Sequence, residues 1–158
     1  MQGFSEKVFL KIAPPTEDDA AGDQQRIKAA LAERGYAPVE IPLAVLRRLY
    51  PLCRDCGYEI TVSLVCREIG WTMVDVEAGD CSGSHYGLAV DYGSTKIVMQ
   101  LVDMASGEVV AEERETNGQV VYGTDILTRI TYTMEAPEHF DDIQRVTADT
   151  FNRLLARL

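Results

Sequence analysis

Residues 87–96 read Gly87-Leu88-Ala89-Val90-Asp91-Tyr92-Gly93-Ser94-Thr95-Lys96, an apolar run that breaks into turn residues. Tyr86 to Asp91 is expected to be a strand, and Tyr92-Gly93-Ser94-Thr95 a tight turn. Lys96 to Asp103, rich in Ile, Val and Leu, reads as the next strand. Ala105-Ser106-Gly107 turns again into a third strand, Glu108 to Glu115. Three successive antiparallel strands make a meander. The turn has the chemistry of a phosphate grip. Gly93 lets backbone come close to a phosphate, the turn amides can face its oxygens, and Ser94 and Thr95 add hydroxyls. Asp91 at the strand end could hold Mg²⁺ through water, and Lys96 could add a cation. A plain hairpin is the competing reading, because Gly, Ser and Asp are ordinary turn residues.

Downstream, Asn117-Gly118-Gln119-Val120-Val121-Tyr122-Gly123-Thr124-Asp125 leads into a helix running to about Met134, with Thr124 as its cap. A well-capped loop with no ligand is the competing reading there. After Pro137 a last helix is expected from Asp141 or Asp142. Its stripe of Ile143, Val146, Phe151, Leu154, Leu155 and Leu158 is expected to pack on Leu88, Val90, Val98 and Leu101 of the meander. The run Thr131, Tyr132, Thr133 reads as an ordinary helix end.

Upstream, Lys7–Ile12 reads as a strand. A helix over Gln24–Arg34 has Asp23 as its cap. A second helix starts at Ile41-Pro42, with Leu43, Leu46, Leu49 and Tyr50 on its buried side and Pro51 disturbing its end. Glu59–Val65 and Trp71–Val76 read as an antiparallel pair, with Trp71 and Met73 in its core. The small polar run at 81–86 is read as a linker, which divides the chain into a module at 1–80 and a second part at 87–158.

The chain has 158 residues, 46% hydrophobic and 25% charged, which is globular composition. Its net charge of −10 disfavours nucleic acid and anionic membrane surfaces as partners. No apolar run approaches the ~20 residues of a membrane span. Met1–Pro15 lacks the apolar core of a secretion signal, so a cytoplasmic location is expected. Cys53 and Cys56 form C-x-x-C, but no second close pair of Cys or His completes a zinc set, and free thiols are expected throughout. His85 and His139 stand alone and read as structural.

At the phosphate turn the chain resembles a known group of proteins. Gly87-Leu88-Ala89-Val90-Asp91-Tyr92-Gly93-Ser94-Thr95 is similar to the first phosphate-binding hairpin of the acetate kinase, sugar kinase, heat-shock and actin superfamily. Leu101-Val102-Asp103-Met104-Ala105-Ser106-Gly107-Glu108 follows the pattern L-x-D-x-x-[ST]-G-E. Asn117, Gln119, Tyr122, Gly123, Asp125, Ile126, Arg129 and Ile130 follow N-x-Q-x-x-Y-G-x-D-[VI]-x-x-R-I. Together these resemble the reductive activators of corrinoid proteins, and 4–80 resembles, more loosely, their linker and middle region.

The resemblance implies an α+β fold: a small N-terminal α/β module before the opening meander and helices of a ribonuclease-H-like, actin-like ATPase domain. It implies ATP-dependent reduction of a corrinoid protein from Co(II) to Co(I) for methyl transfer. ATP and Mg²⁺ would act in the parent protein, and a 2Fe-2S cluster in an N-terminal domain would deliver the electron. The implied phosphate and Mg²⁺ residues are Asp91, Gly93, Ser94 and Thr95; Lys96 stands where the family often has a hydroxyl. Asn117, Gln119, Tyr122, Gly123, Asp125 and Arg129 would shape the adjoining loop. The plant-type cluster spacing is missing from the four cysteines here. The chain is therefore expected to be a fragment without activity of its own. A non-catalytic docking module and a piece of a sugar or acid kinase are the alternatives.

Overall fold

The computed structural model describes residues 4–158, so Met1–Gly3 of the opening stretch lie outside the described residues. Contacts gather into two units, Met1–His85 and Tyr86–Leu158.

In unit 1 the elements are β1 (Ser5–Lys11), α1 (Asp23–Ala32), β2 (Val39–Glu40), α2 (Leu43–Asp55), β3 (Glu59–Arg67) and β4 (Gly70–Ala78). The sheet order is β1-β3-β4-β2, antiparallel except that β2 runs parallel to β4. Trp71, Met73 and Val76 are all buried, which strict alternation along β4 would forbid. The register slips between Ser63 and Leu64, so Ser63 faces Asp75 and Leu64 faces Met73. Val74 is the extra residue, and it is exposed. Ile27 and Leu31 of α1 join Val45, Leu49 and Cys53 of α2 and Leu10, Ile60, Val62, Leu64 and Met73 of the sheet in one core.

Several expected boundaries move. Gly22 caps α1, with its N–H donating to the Gln25 side chain at 3.2 Å. Asp23 is committed elsewhere: its carboxylate pairs with Arg54 at 2.8 Å and accepts from the Tyr58 hydroxyl at 3.0 Å. Pro42 caps α2, and Pro51 sits inside that helix without ending it. The buried face of α2 is Val45, Leu49 and Cys53, at four-residue spacing. Leu43 and Tyr50, expected inside, are outside, and the Arg54 guanidinium lies 3.6 Å over the Tyr50 ring. The stretch at 81–86, read as a linker, is bonded into unit 1 over much of its length. Cys81 N–H donates to Thr61 Oγ1 at 2.8 Å, and His85 Nε2 lies 3.0 Å from Ser5 Oγ. Tyr86 already belongs to the next strand.

Unit 2 is the meander β5 (Tyr86–Tyr92), β6 (Lys96–Asp103) and β7 (Val109–Thr116), followed by a 3₁₀ turn at Gly118–Tyr122, then α3 (Ile126–Glu135) and α4 (Glu138–Leu155). Asp125, not Thr124, caps α3, its carboxylate accepting from Thr128 N–H at 2.9 Å. α4 starts at Glu138, ahead of the expected Asp141 or Asp142, with Pro137 as its cap.

Helix α4 does pack on the meander, at one end of one face. Ile97, Met99 and Leu154 are buried together, with Phe151 and Leu158 against them. The Phe151 ring meets Tyr92 edge-on at 5.7 Å. Of the expected partners, Leu88 (45% exposed) and Val90 (39%) lie beyond the helix. Val98 falls between Ile97 and Met99 and so faces the other side of the sheet. Leu155, expected within the stripe, is exposed. Arg153 and Arg157 fasten the helix end to Glu115 and Glu113 at 2.8–3.0 Å. These two arginines hold the Glu115 carboxyl below its ordinary range. No helix among the described residues is long and apolar enough to cross a membrane.

Candidate functional site

The turn between β5 and β6 closes through one bond, Gly93 N–H to Lys96 C=O at 3.0 Å. A side chain at 93 would stand 2.7 Å from that same carbonyl oxygen, so the closure needs glycine. Three consecutive carbonyls of the turn are then held from behind. Gly93 C=O accepts from Asn117 Nδ2 at 2.9 Å, Ser94 C=O from Arg129 Nη2 at 2.6 Å, and Thr95 C=O from Asn117 N–H at 2.9 Å. Asn117 and Arg129 are almost wholly buried, at 1% and 4% exposed.

A second layer holds the first. Asn117 Oδ1 accepts from Gln119 N–H at 3.0 Å. Arg129 Nη1 donates to Gln119 Oε1 at 3.2 Å and Nε to Gly123 C=O at 2.9 Å. Gly123 has φ of +155°, and a Cβ there would press to 2.8 Å of the Thr128 side chain. Gln119 Nε2 donates to Thr147 Oγ1 of α4 at 2.7 Å. Thr147 carried no signal of its own in the sequence, since a lone Thr in a helix is common.

Pinning the carbonyls has a direct consequence for the amides. In a trans peptide the N–H lies opposite the C=O of the same unit. The inward carbonyls of Gly93 and Ser94 therefore send the N–H groups of Ser94 and Thr95 outward. Neither amide donates a bond among the described residues, and neither hydroxyl is engaged. Ser94, Thr95, Lys96 and Asp91 are all exposed. Asp91 pairs with Val98 in the ladder, on the face away from α4, and borders a shallow hollow of about 350 Å³ with Ala89, Val90 and Gln100. Outward amides with free hydroxyls beside them form a donor set that fits phosphate oxygens, and Asp91 offers one unengaged carboxylate nearby in the chain. Among the described residues no group of three or more His, Cys, Asp or Glu converges as a metal site.

Of the residues singled out in the sequence, Gly93, Ser94, Thr95, Asn117, Gln119, Gly123 and Arg129 come together. Asp125 serves as the α3 cap, and its hydrogen bonds to Thr128 lower its carboxyl from the ordinary value. Tyr122 stacks on Tyr132 at 4.7 Å, which stacks on His139 at 3.9 Å. The Tyr132 hydroxyl, pushed up to about 12 by desolvation and by its bond to Asp142, ties α3 to α4. His139 Nδ1 lies 2.7 Å from Tyr132 C=O. In unit 1 the four cysteines are free thiols, and burial pushes Cys53 up to about 11.

A family model described as "RACo linker region" matches residues 1–83, and one described as "RACo middle region" matches 86–158. The chain belongs to the RACo family. The turn and its brace fall wholly inside the stretch matched as the RACo middle region. A solved structure titled "Reductive activator for corrinoid,iron-sulfur protein" superposes with a TM-score of 0.81 at 27% identity, over 99% of this chain and 25% of that one. The "Corrinoid activation enzyme RamQ" of Eubacterium limosum is 32% identical over 73 residues, 46% of this chain and 12% of RamQ. The chain thus spans a quarter or less of the length of these relatives. The mixed α+β architecture with two sheets is the one it shares with the matched RACo-type structure.

Proposed function

We propose that this chain is the linker and middle part of an activator of corrinoid proteins, and that its hairpin turn at 93–95 holds a phosphate of ATP. The carrying observation is the outward pair of unengaged amides at Ser94 and Thr95, with their carbonyls fastened by Asn117 and Arg129. Donors already in place cost no reorganisation when an anion arrives, which is what makes such a site effective. The similarity to proteins titled corrinoid activators supports a corrinoid protein as the partner; its reduction from Co(II) to Co(I) is part of the proposed reading.

In this reading the Ser94 and Thr95 hydroxyls add two further donors. Asp91 would be the residue to hold Mg²⁺, which would neutralise charge on the phosphates. The nucleotide's remaining contacts, and a 2Fe-2S cluster as electron source, belong to parts of the parent outside this chain. Unit 1, built around a closed core, connects or docks and does no chemistry.

The test uses the full-length parent. Asp91→Ala should abolish ATP-dependent corrinoid reduction, followed by the optical change from Co(II) to Co(I), while its iron–sulfur centre stays reducible. Unchanged reduction would remove Asp91 from the mechanism, and unchanged reduction in Gly93→Val as well would remove the turn. For residues 1–158 alone, calorimetry should show ATP binding no tighter than about millimolar, about −4 kcal/mol. A micromolar, Mg²⁺-dependent isotherm would contradict the need for further contacts.

A further inference from the structure

Arg129 is buried, yet no carboxylate lies within ion-pair distance of it among the described residues. Its three bonds all go to neutral acceptors: Gly123 C=O, Gln119 Oε1 and Ser94 C=O. A buried guanidinium is ordinarily matched by a carboxylate, because an uncompensated charge away from water is costly. Here the bonds are satisfied and the charge is not. The Asp125 carboxyl feels the charge of Arg129 from beyond ion-pair distance.

The location gives this charge a direction. Arg129 holds the oxygen end of the Ser94–Thr95 peptide, and the hydrogen end of that same peptide is the outward Thr95 N–H. A cation at the oxygen draws electron density toward it and makes the far N–H a stronger donor. It also places positive potential behind the turn in a unit whose net charge is −6. Exposed Lys96 cannot do the same, because water and salt screen it.

We propose that Arg129 is the positioning residue that gives the turn its affinity for anions, by charge as well as by fixing the Ser94 carbonyl. This rests on the reading of the turn as a phosphate site. Arginine, rather than a neutral donor, is needed because a neutral side chain could fasten the loop but would leave an acidic unit facing a polyanion.

The experiment is a titration of the ¹⁵N-labelled chain with inorganic pyrophosphate, read at the Ser94 and Thr95 amides. The native chain should show saturable shifts at these two amides. Arg129→Gln should weaken binding about tenfold at low salt, and Arg129→Lys, which keeps the charge, should recover most of it. Gln119→Glu keeps an oxygen against Arg129 Nη1 and makes it a carboxylate, while giving up the Nε2 bond to Thr147 Oγ1. It should weaken binding about three- to tenfold, and Gln119→Met, which loses both bonds without adding charge, should weaken it less. This variant decides the matter even if Arg129→Gln does not fold. The weakening should persist at about 0.3 M salt, as a buried charge requires. Native shifts with equal affinity in Gln119→Glu, or equal losses in the Lys and Gln variants, would overturn the role of the charge and leave the phosphate site standing. No shift at Ser94 or Thr95 in the native chain would sink the phosphate site and this proposal with it.

Discussion

The two units hold themselves together in different ways. Unit 1 closes a core on itself: Leu10, Leu31, Ile60, Val62, Leu64 and Met73 are fully buried between one sheet and two helices. Unit 2 buries only Ile97, Met99 and Leu154 as apolar residues, and leaves Leu88, Val90, Ile126, Leu127 and Met134 exposed. Its order comes from polar groups instead, with Asn117, Arg129 and Thr150 buried and bonded. Apolar burial is non-directional and makes a sturdy body. Hydrogen bonds are directional, and a few of them can aim a loop that burial alone would leave free to settle in many ways. The directional half of the molecule is the one that carries the candidate site.

The contrast can be broken most sharply in the cores. Leu64→Ala should cost about 2–5 kcal/mol. Trp71, the single tryptophan, lies in unit 1, so its fluorescence follows that unit during urea unfolding. Leu154→Ala should be costly as well, by a similar mechanism, but visible in backbone circular dichroism with the Trp71 transition left in place. Equal displacement of the Trp71 midpoint by both variants would show that the two cores are energetically one.

Asn117→Ala should cost about 1–3 kcal/mol, since it strands the half-buried Gly93 carbonyl and the Gln119 amide. Thermal melting checks this. A loss below about 0.5 kcal/mol would mean that water replaces the bonds and the brace is ornamental.

The buried thiol of Cys53 sharpens the account of unit 1. Its folded pKa is raised to about 11 from 9.0. The neutral thiol therefore favours the folded state fully below pH 9, and this contribution is lost as pH rises from 9 toward 11. Native stability should fall there by about 1–2 kcal/mol more than in Cys53→Ala. Parallel pH curves for the two proteins would refute it.

The smallest effect belongs to the surface pairs of α4. Arg157→Ala removes contacts to Glu113 and Glu115 at 3.0 and 2.9 Å, yet should cost at most about 1 kcal/mol and less in high salt. A larger, salt-insensitive loss would make the end of α4 a principal support of unit 2.

Much of this was visible in the residues. Tyr86–Asp91, Lys96–Asp103 and Trp71–Val76 announce themselves by alternation and β-branching, and the meander follows from the turns between them. Other features leave no local trace. β2 is two residues long, too short for any period to show. The slip at Val74 is decided by what Met73 and Val76 bury, not by their neighbours in the chain. Leu88, Val90 and Leu101 look equally apolar and share a face with Met99, and only the docking point of α4 decides which are covered. At the site, the turn and the Asn117–Arg129 motif were each legible, but not their joining. Asn117 reaches back 24 residues to Gly93 and Arg129 reaches back 35 to Ser94, distances at which spacing says nothing.

The fastened carbonyls and idle amides of residues 93–95 separate two properties that usually travel together. Backbone order is ordinarily inferred from slow exchange of amide protons with solvent deuterium, because ordered amides are usually bonded. Here the oxygens carry the order and the hydrogens carry none of it. Ser94 and Thr95 should exchange almost as fast as an unfolded peptide, while Gln119, whose amide is held by Asn117 Oδ1, exchanges slowly beside them. A stiff segment of this chain would thus pass for a loose one in a deuterium map, until an anion closes over its protons and slows them.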